Sequence, residues 1–395
     1  MRSSENAAVR RRSTLQGQQP GFSLRARGRM DIVFFGLIMV LLTVGLVMMF
    51  SASYAYAYYH FNNSYHFIIR QAEFAVLGVL LMVLISHIDY HILAKMHLPW
   101  ILYGVSLVML VIVLMLPPMQ EGFDYKRWFA IGSFSFQPSE IAKFAVILLF
   151  SYLISRNYRR MGTFKYGVIP YMCLAGVVCM LVVVEPHLSA TLLIFSIALV
   201  MMIAGGMKLR WLGIGAGVIG VGGAAAILTG IVDYGGDRIK YWLDPWASAS
   251  DKGYQTIQSL LAIGSGGFWG RGLGQSRQKF LWVPEPHNDF IFAIVCEELG
   301  LVGAVCVIAL FGLVIWRGIL IAMRAPDKFG ALLAIGITLQ IGLQAVLNIF
   351  VVTNTVPNTG ISLPFFSYGG TSLVMLLCQI GVVLSISRFS TVKKT

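Results

Sequence analysis

Long apolar runs recur along the chain, separated by polar connectors. A run of about 18 residues or more crosses a hydrocarbon layer of ~30 Å as a helix. The pattern predicts ten spans, near 31–52, 67–87, 97–117, 138–155, 166–184, 188–206, 211–232, 288–316, 329–352 and 365–387. Two stretches are too long and too polar to be simple connectors, one from about 117 to 137 and one from about 233 to 287. The second lies between spans seven and eight and is longer than ordinary loops. It contains Tyr241, Trp242, Tyr254, Phe268, Trp269, Phe280 and Trp282 with the apolar run 260–263, so short surface helices are expected there instead of disorder. The predicted fold class is an all-α polytopic membrane protein of about ten transmembrane helices, with a large extracytoplasmic loop at about 233–287.

Composition agrees. Of 395 residues 57% are hydrophobic and 12% charged, where a soluble domain carries roughly 25% charged residues. The mean hydropathy is +0.76. Residues 1–29 are polar and Arg-rich and lack the short apolar core and small-residue cleavage site of a signal peptide. They read as a disordered, basic cytoplasmic tail, followed by a single membrane domain over 30–388 and a second cytoplasmic tail at 389–395.

The net charge of +13 does not point to nucleic acid. With the tail placed inside, 20 of the 30 basic residues fall on cytoplasmic segments, and the outer loops near 53–66, 185–187 and 353–364 hold none. This asymmetry sets topology, with both termini cytoplasmic; attraction to anionic lipid is a second effect. The five cysteines sit inside apolar runs, at spacings that match neither zinc sites nor a disulfide framework. His87 and His91, with Asp89 between them, read as a metal pair or as an interfacial polar cluster.

Against the inside bias, Lys126, Arg127, Arg238, Lys240, Lys252, Arg271, Arg277 and Lys279 gather on the outer stretches. Either they serve an anionic ligand, for which phosphate or pyrophosphate suits Arg and Lys, or they pair with Glu121, Asp124, Asp233, Asp237, Asp244, Asp251 and Glu285. Five tryptophans fall on this side as interface anchors; Trp128 is the one expected to stack on a sugar. The glycine-rich stretch 264–274 lacks a Gly-Lys-Ser/Thr ending and a preceding strand, so it reads as a compact turned loop and not as a nucleotide site.

Charge also lies within the apolar runs. Gln137, Pro138, Ser139, Glu140 and Lys143 open the fourth span; Glu140 and Lys143, three apart, share a helical face. They form a structural ion pair, or Lys143 contacts phosphate while Glu140 orients it or helps hold a divalent cation. Asp289 stands where the polar loop meets the apolar run 290–296. It is a functional group at the membrane edge, or it caps the helix that follows. On a continuous helix Glu297 returns near the face of Asp289. With Glu298, Gln344 and Asn348 these groups describe a polar cavity open to the outside, or a set of interhelical hydrogen bonds.

Several of these segments are joined by family-like motifs. Arg127-Trp128, Gln137-Pro138-Ser139-Glu140 with Lys143, Gly253-Tyr254-Gln255, Pro284-Glu285-Pro286-His287-Asn288-Asp289-Phe290, Glu297-Glu298-Leu299-Gly300 and Pro364-Phe365-Phe366-Ser367-Tyr368-Gly369-Gly370 resemble the SEDS family (shape, elongation, division, sporulation). The resemblance runs from Asp31 to Arg388, and the opening Met30-Asp31 with 45–53 looks more like the division and sporulation branch (FtsW, SpoVE) than the elongation branch (RodA). One departure is His187, at a position where the family commonly has an acid.

The resemblance implies a peptidoglycan glycosyltransferase of the bacterial cytoplasmic membrane that polymerises lipid II, a disaccharide-pentapeptide on undecaprenyl pyrophosphate. It implies a class B penicillin-binding protein as transpeptidase partner, and other divisome or sporulation proteins. Asp289 is then the expected general base, and Lys126, Arg127, Trp128, Gln137, Ser139, Glu140, Lys143, Arg271 and Ser367 the expected substrate-binding residues. Mg²⁺ or Mn²⁺ is a possible cofactor, and no organic cofactor is expected. Rival readings are a transporter that flips lipid II, though no internal repeat is visible, and a non-catalytic division scaffold.

Overall fold

The computed structural model describes residues 28–95, 97–116, 127–131, 134–185, 187–211, 213, 241–249, 253–280 and 282–389. The tails, the seventh predicted span and the first part of the long loop lie almost wholly outside these residues.

Among the described residues the chain is nearly all helix: α1 (Ile32–Phe61), α2 (His66–His87), α3 (Leu98–Met115), α4 (Pro138–Asn157), α5 (Ile169–Val184), α6 (Leu188–Ala204), α7 (Tyr254–Gly266), α8 (Ile291–Met323), α9 (Lys328–Val352) and α10 (Gly370–Phe389). Eight of the described helices are long and apolar enough to span a membrane, and α6 is a shorter apolar helix. The protein is a multi-pass membrane protein. The described exception to helix is a hairpin of β1 (Phe129–Ile131) and β2 (Phe134–Phe136). It was not foreseen in the polar stretch after α3.

Helix ends explain where spans begin. Pro138 and Pro170 sit in first turns, where a missing N–H costs nothing. Asp31 caps α1 by accepting from Phe34 N at 2.9 Å, and Asp327 caps α9 from Gly330 N at 2.8 Å. Several boundaries differ from expectation: α1 runs on to Phe61, through most of the outer loop expected at 53–66, and α8 runs on to Met323. α8 starts at Ile291, so Asp289 stands in the turn before it, and α10 starts at Gly370 because 364–369 forms a turn of its own.

Helices α4, α9 and α10 form the centre: 72% of the apolar window of α4 is buried, against 22% for α2. α2 packs on α10 through small residues, Gly78 against Leu377 and Gly381 against the Met82 backbone, as expected where lipid leaves packing to drive association. At one end of the bundle Arg317 forks onto Asp31, with Nη2–Oδ2 at 2.8 Å, while Asp31 N donates to Ser387 Oγ at 3.0 Å. This ties α1, α8 and α10 together. Nearby, the His91 ring lies between Asp89 Oδ1 at 2.6 Å and Asp327 Oδ2 at 3.1 Å, and Tyr90 donates to the same Asp327 carboxylate. The neighbouring carboxylates hold the His91 pKa above its ordinary value, against burial. His87 Nδ1 instead lies 2.8 Å from the Val83 carbonyl. The pair reads as an interfacial polar cluster. All five cysteines are free.

α8 is broken at Gly300, whose φ of 67° suits glycine. The stretch 266–274 splints the break. Arg271 N and Gly272 N donate to the Glu297 and Glu298 carbonyls, both at 3.0 Å, and Leu301 N donates to Gly267 O at 3.0 Å. Backbone meets backbone so closely that a Cβ on Gly270 would lie 2.2 Å from the Glu298 carbonyl. The glycines therefore serve helix–loop contact, which accounts for their density without a ligand.

Candidate active site

At the end of the bundle away from the Asp31–Arg317 pair, a cavity of about 680 Å³ opens between α2, α4, α6, α9, α10 and the turns before α8 and α10. Its polar lining includes Arg70, Arg127, Gln137, Glu140, Lys143, His187, Ser189, Glu285, Asn288, Asp289, Gln344 and Tyr368.

The hairpin builds one wall. Phe129 pairs with Phe136, so the residues just outside the pair, Trp128 and Gln137, come side by side. Arg127 precedes them, its Nε 3.3 Å from the Glu185 carbonyl oxygen. Trp128 is 40% exposed at the cavity wall. Gln137 Nε2 lies 3.3 Å from His187 Nδ1.

On α4, Lys143 is only 3% exposed. Its Nζ donates to Glu140 Oε1 at 2.8 Å and approaches Gln344 Oε1 at 3.4 Å. Gln344 in turn donates to Ser362 O at 3.1 Å. An ammonium held this way is buried, paired and still on the cavity surface, which leaves it able to meet an incoming anion.

Asp289 is half-buried in the cavity wall. It does not cap α8, because the cap position is Phe290 and no side chain bonds there. Among the described residues no donor reaches its carboxylate. Burial first, and the negative Glu285 second, push its pKa up to about 6, with Arg127 pulling the other way. Gly360, at φ 68°, comes so close that a Cβ there would lie 3.1 Å from Asp289 Oδ2. Beside the cavity, burial pushes Glu185 up to about 8, opposed by Arg127, and pushes His187 down to about 3, with Arg127 and Lys143 adding to the effect. His187 is thus held toward the neutral imidazole.

The remaining expected residues are placed differently. Ser139 is fully buried with no partner for its hydroxyl among the described residues. Ser367 is a brace: its Oγ donates to Asn288 O at 2.8 Å and accepts from Leu363 N at 2.7 Å. Arg271 lies away from the cavity, its Nη1 3.8 Å from Glu297 Oε1. Lys126 falls outside the described residues. Glu297 and Glu298 do not line the cavity either. They are fully buried under the 274–279 segment, where Glu298 takes Lys279 Nζ at 2.7 Å and Glu297 takes Arg277 N at 2.9 Å. Because α8 starts only at Ile291, no continuous helix runs through residue 289 to carry Glu297 back to the face of Asp289. Arg70 and Ser189 line the cavity without having been expected there, as does Tyr368 from the 364–370 motif; a charge inside the apolar run 67–87 was the available signal for Arg70.

The fold and site together define a polytopic membrane protein whose polar cavity holds both cations and a half-buried carboxylate. The chain belongs to the FtsW/RodA/SpoVE family of cell cycle proteins, whose model matches residues 31–392. It is 38% identical over 357 residues to a protein of Geobacter sp. (strain M18) named "Probable peptidoglycan glycosyltransferase FtsW", covering 90% of this chain and 96% of that one. It is also 38% identical over 365 residues to stage V sporulation protein E of Bacillus subtilis (strain 168), covering 91% and 97%. Among solved structures it superposes, at a TM-score of 0.76 and 28% identity, on a chain from a peptidoglycan synthase complex in which polymerization and crosslinking are coordinated, covering 91% of this chain and 98% of that one. The rod shape determining protein RodA of Thermus thermophilus matches at 0.67 and 26%, covering 92% and 98%.

Proposed function

We propose that this chain is a peptidoglycan glycosyltransferase that polymerises lipid II at the outer face of the cytoplasmic membrane, with both termini cytoplasmic. The observation that carries the reading is the cavity itself. Its lining brings the cations Arg127, Lys143 and Arg70 together with Asp289, whose carboxylate is free of donors among the described residues. The names of the FtsW relatives support the reaction class.

In this reaction the acceptor sugar hydroxyl attacks the donor anomeric carbon. A new C–O bond forms there as the bond to the pyrophosphate oxygen breaks. Asp289 takes the hydroxyl proton, and a pKa near 6 leaves it ionised yet basic at neutral pH. Arg127 and Lys143 meet the negative charge that accumulates on the departing pyrophosphate. Trp128 offers a flat apolar face to a sugar ring, and Gln137 a hydrogen-bonding edge. A single base suffices for an inverting displacement, and pyrophosphate leaves without an acid.

A hard divalent cation fits the carboxylates that face the cavity, Glu140 and Glu285. Mg²⁺ is typically held by one or two carboxylates together with substrate phosphates. When bound, it would neutralise charge on the pyrophosphate. Among the described residues no cluster of three or more His, Cys, Asp or Glu is arranged to hold an ion alone.

The partner is a class B transpeptidase that cross-links the strand, a reading supported by the synthase complex among the structural neighbours. A division or sporulation role follows the FtsW and stage V sporulation relatives. The transporter alternative is tested in liposomes carrying fluorescent lipid II. Polymer on the accessible leaflet without transfer of label across the bilayer is the expected result; transfer without polymer overturns the enzyme.

A further inference from the structure

A second cleft lies at the opposite end of the bundle from the catalytic cavity. It has a volume of about 400 Å³ and is bounded by Trp100 at the start of α3, Leu153 and Asn157 at the end of α4, Tyr166 in the connector, and Tyr171, Cys173 and Leu174 at the start of α5. These ends belong to membrane spans, so the cleft opens at the membrane boundary of that face. Its volume is in the range of small-ligand sites, ~300–1,000 Å³.

The cleft is firmly built. Tyr103 donates to Leu174 O at 2.8 Å, which locks α3 to α5, and Trp100 packs edge-on to Tyr103. Tyr171, fully buried, hydrogen-bonds Asn157 and stacks edge-on to Phe150, which fixes the floor. The walls are thus mostly aromatic and aliphatic, with Asn157 engaged by Tyr171 at the floor and the cation at the mouth.

At that mouth stands Arg160, whose guanidinium sits 5.6 Å from the Tyr166 ring centroid. Around it the connector 156–165 and the segment after α6 carry Arg156, Arg159, Lys165, Lys208 and Arg210, all exposed. Among the described residues no carboxylate pairs with any of these six. From 151 to 211 the chain holds one acid, Glu185, at the far end of α5. A basic mouth over an apolar cleft at a span boundary has the chemistry of a phospholipid, with phosphate on the guanidinium and a chain below.

We propose that this cleft is a binding site for one anionic phospholipid of the adjoining leaflet, with Arg160 taking the headgroup phosphate and the Trp100–Leu174 walls taking an acyl chain. A bound lipid there would wedge α3, α4 and α5 at the end away from the catalytic cavity, on the helix that also carries Glu140 and Lys143.

The full chain, purified in a zwitterionic detergent and freed of lipid, is titrated with phosphatidylglycerol or phosphatidylcholine, and bound lipid is counted by native mass spectrometry. The expected result is one tightly held phosphatidylglycerol and weaker phosphatidylcholine. Arg160→Gln should weaken the phosphatidylglycerol about tenfold, the loss of one charge-assisted hydrogen bond, while Arg324→Gln, at the end of α8, leaves it unchanged. Filling the cleft by Cys173→Trp should abolish retention. If that variant does not fold, a bulky maleimide on Cys173 in a Cys306→Ser background fills it in the folded protein. Equal retention of the two lipids, equal loss in Arg160→Gln and Arg324→Gln, or retention with the cleft filled overturns the site. Displacement of the lipid by glycerol phosphate also overturns it, because it would reduce the mouth to a phosphate site.

Discussion

Asn348 holds Asp289 by its backbone and not by its carboxylate: Nδ2 donates to the Asp289 carbonyl at 2.7 Å and to the Ile361 carbonyl at 2.6 Å. One amide on α9 thereby clamps the turn before α8 to the 360–361 segment that borders the cavity. The Asp289 carboxylate is left with no donor among the described residues, so its oxygens stay available to a substrate hydroxyl. Asn348→Ala removes the clamp and takes this donor from the buried Ile361 carbonyl and the part-buried Asp289 carbonyl. A displacement on the order of 1 Å can cost about 10²-fold in rate, so glycan formation per folded protein should fall by about that factor while Asp289 remains present. Comparing lipid II consumption by Asn348→Ala and the parent at equal folded concentration checks this.

The pH profile should report Asp289. Burial raises its pKa to about 6, and the negative Glu285 adds to the rise. A general base works ionised, so the rate is flat above that pKa and falls tenfold per pH unit below it. Glu285→Gln removes a charge that opposes ionisation, so the midpoint should move to lower pH. Initial rates between pH 5 and 8 for both proteins decide it; an upward move contradicts the placement of the two carboxyls.

The cations should divide by location. Arg127 lies in the cavity, whereas Arg271 is engaged with Glu297 and Arg324 stands at the far end of α8. Losing a charge-assisted contact to pyrophosphate costs about 1.5–3 kcal/mol, or about ten- to a hundredfold. Arg127→Ala should therefore lose at least tenfold in rate, and Arg324→Ala and Arg271→Ala should keep their activity per folded molecule. Equal losses in all three would remove the special standing of the cavity.

A structural prediction concerns Lys279. It is fully buried, with Nζ 2.7 Å from Glu298 Oε1 and 3.3 Å from Ser51 Oγ. Removing one partner of a buried pair costs about 3–5 kcal/mol, because the other charge stays unpaired. Lys279→Met should lower the melting temperature strongly in detergent, and Lys279→Met with Glu298→Gln should recover part of the loss. An unchanged melting temperature in the single variant contradicts the pairing.

Much of this was legible in the chain. Hydropathy located the apolar helices, because length and polarity leave few alternatives in a membrane. The sequence-level pairing of Glu140 with Lys143 held because both lie on one uninterrupted helix. What could not be read was tertiary. Basic residues on the outer stretches look alike in sequence, yet Arg127 reaches the cavity while Arg271 and Lys279 serve Glu297 and Glu298. The roles of Gly270 and Gly300 depend on a loop meeting a helix break, which no local pattern encodes. Ser367, expected at the substrate, holds the 363–367 turn against Asn288, because the turn at 364–369 replaces the predicted start of the last helix.

The measurement closest to the central claim is glycan formation from purified lipid II by the parent chain and by Asp289→Asn. Both are assayed with divalent cation and a class B partner whose own serine is disabled, so that only polymer length is read. Polymer from the parent and none from equally folded Asp289→Asn is the predicted result. Polymer of similar length from both would show that Asp289 is not the base.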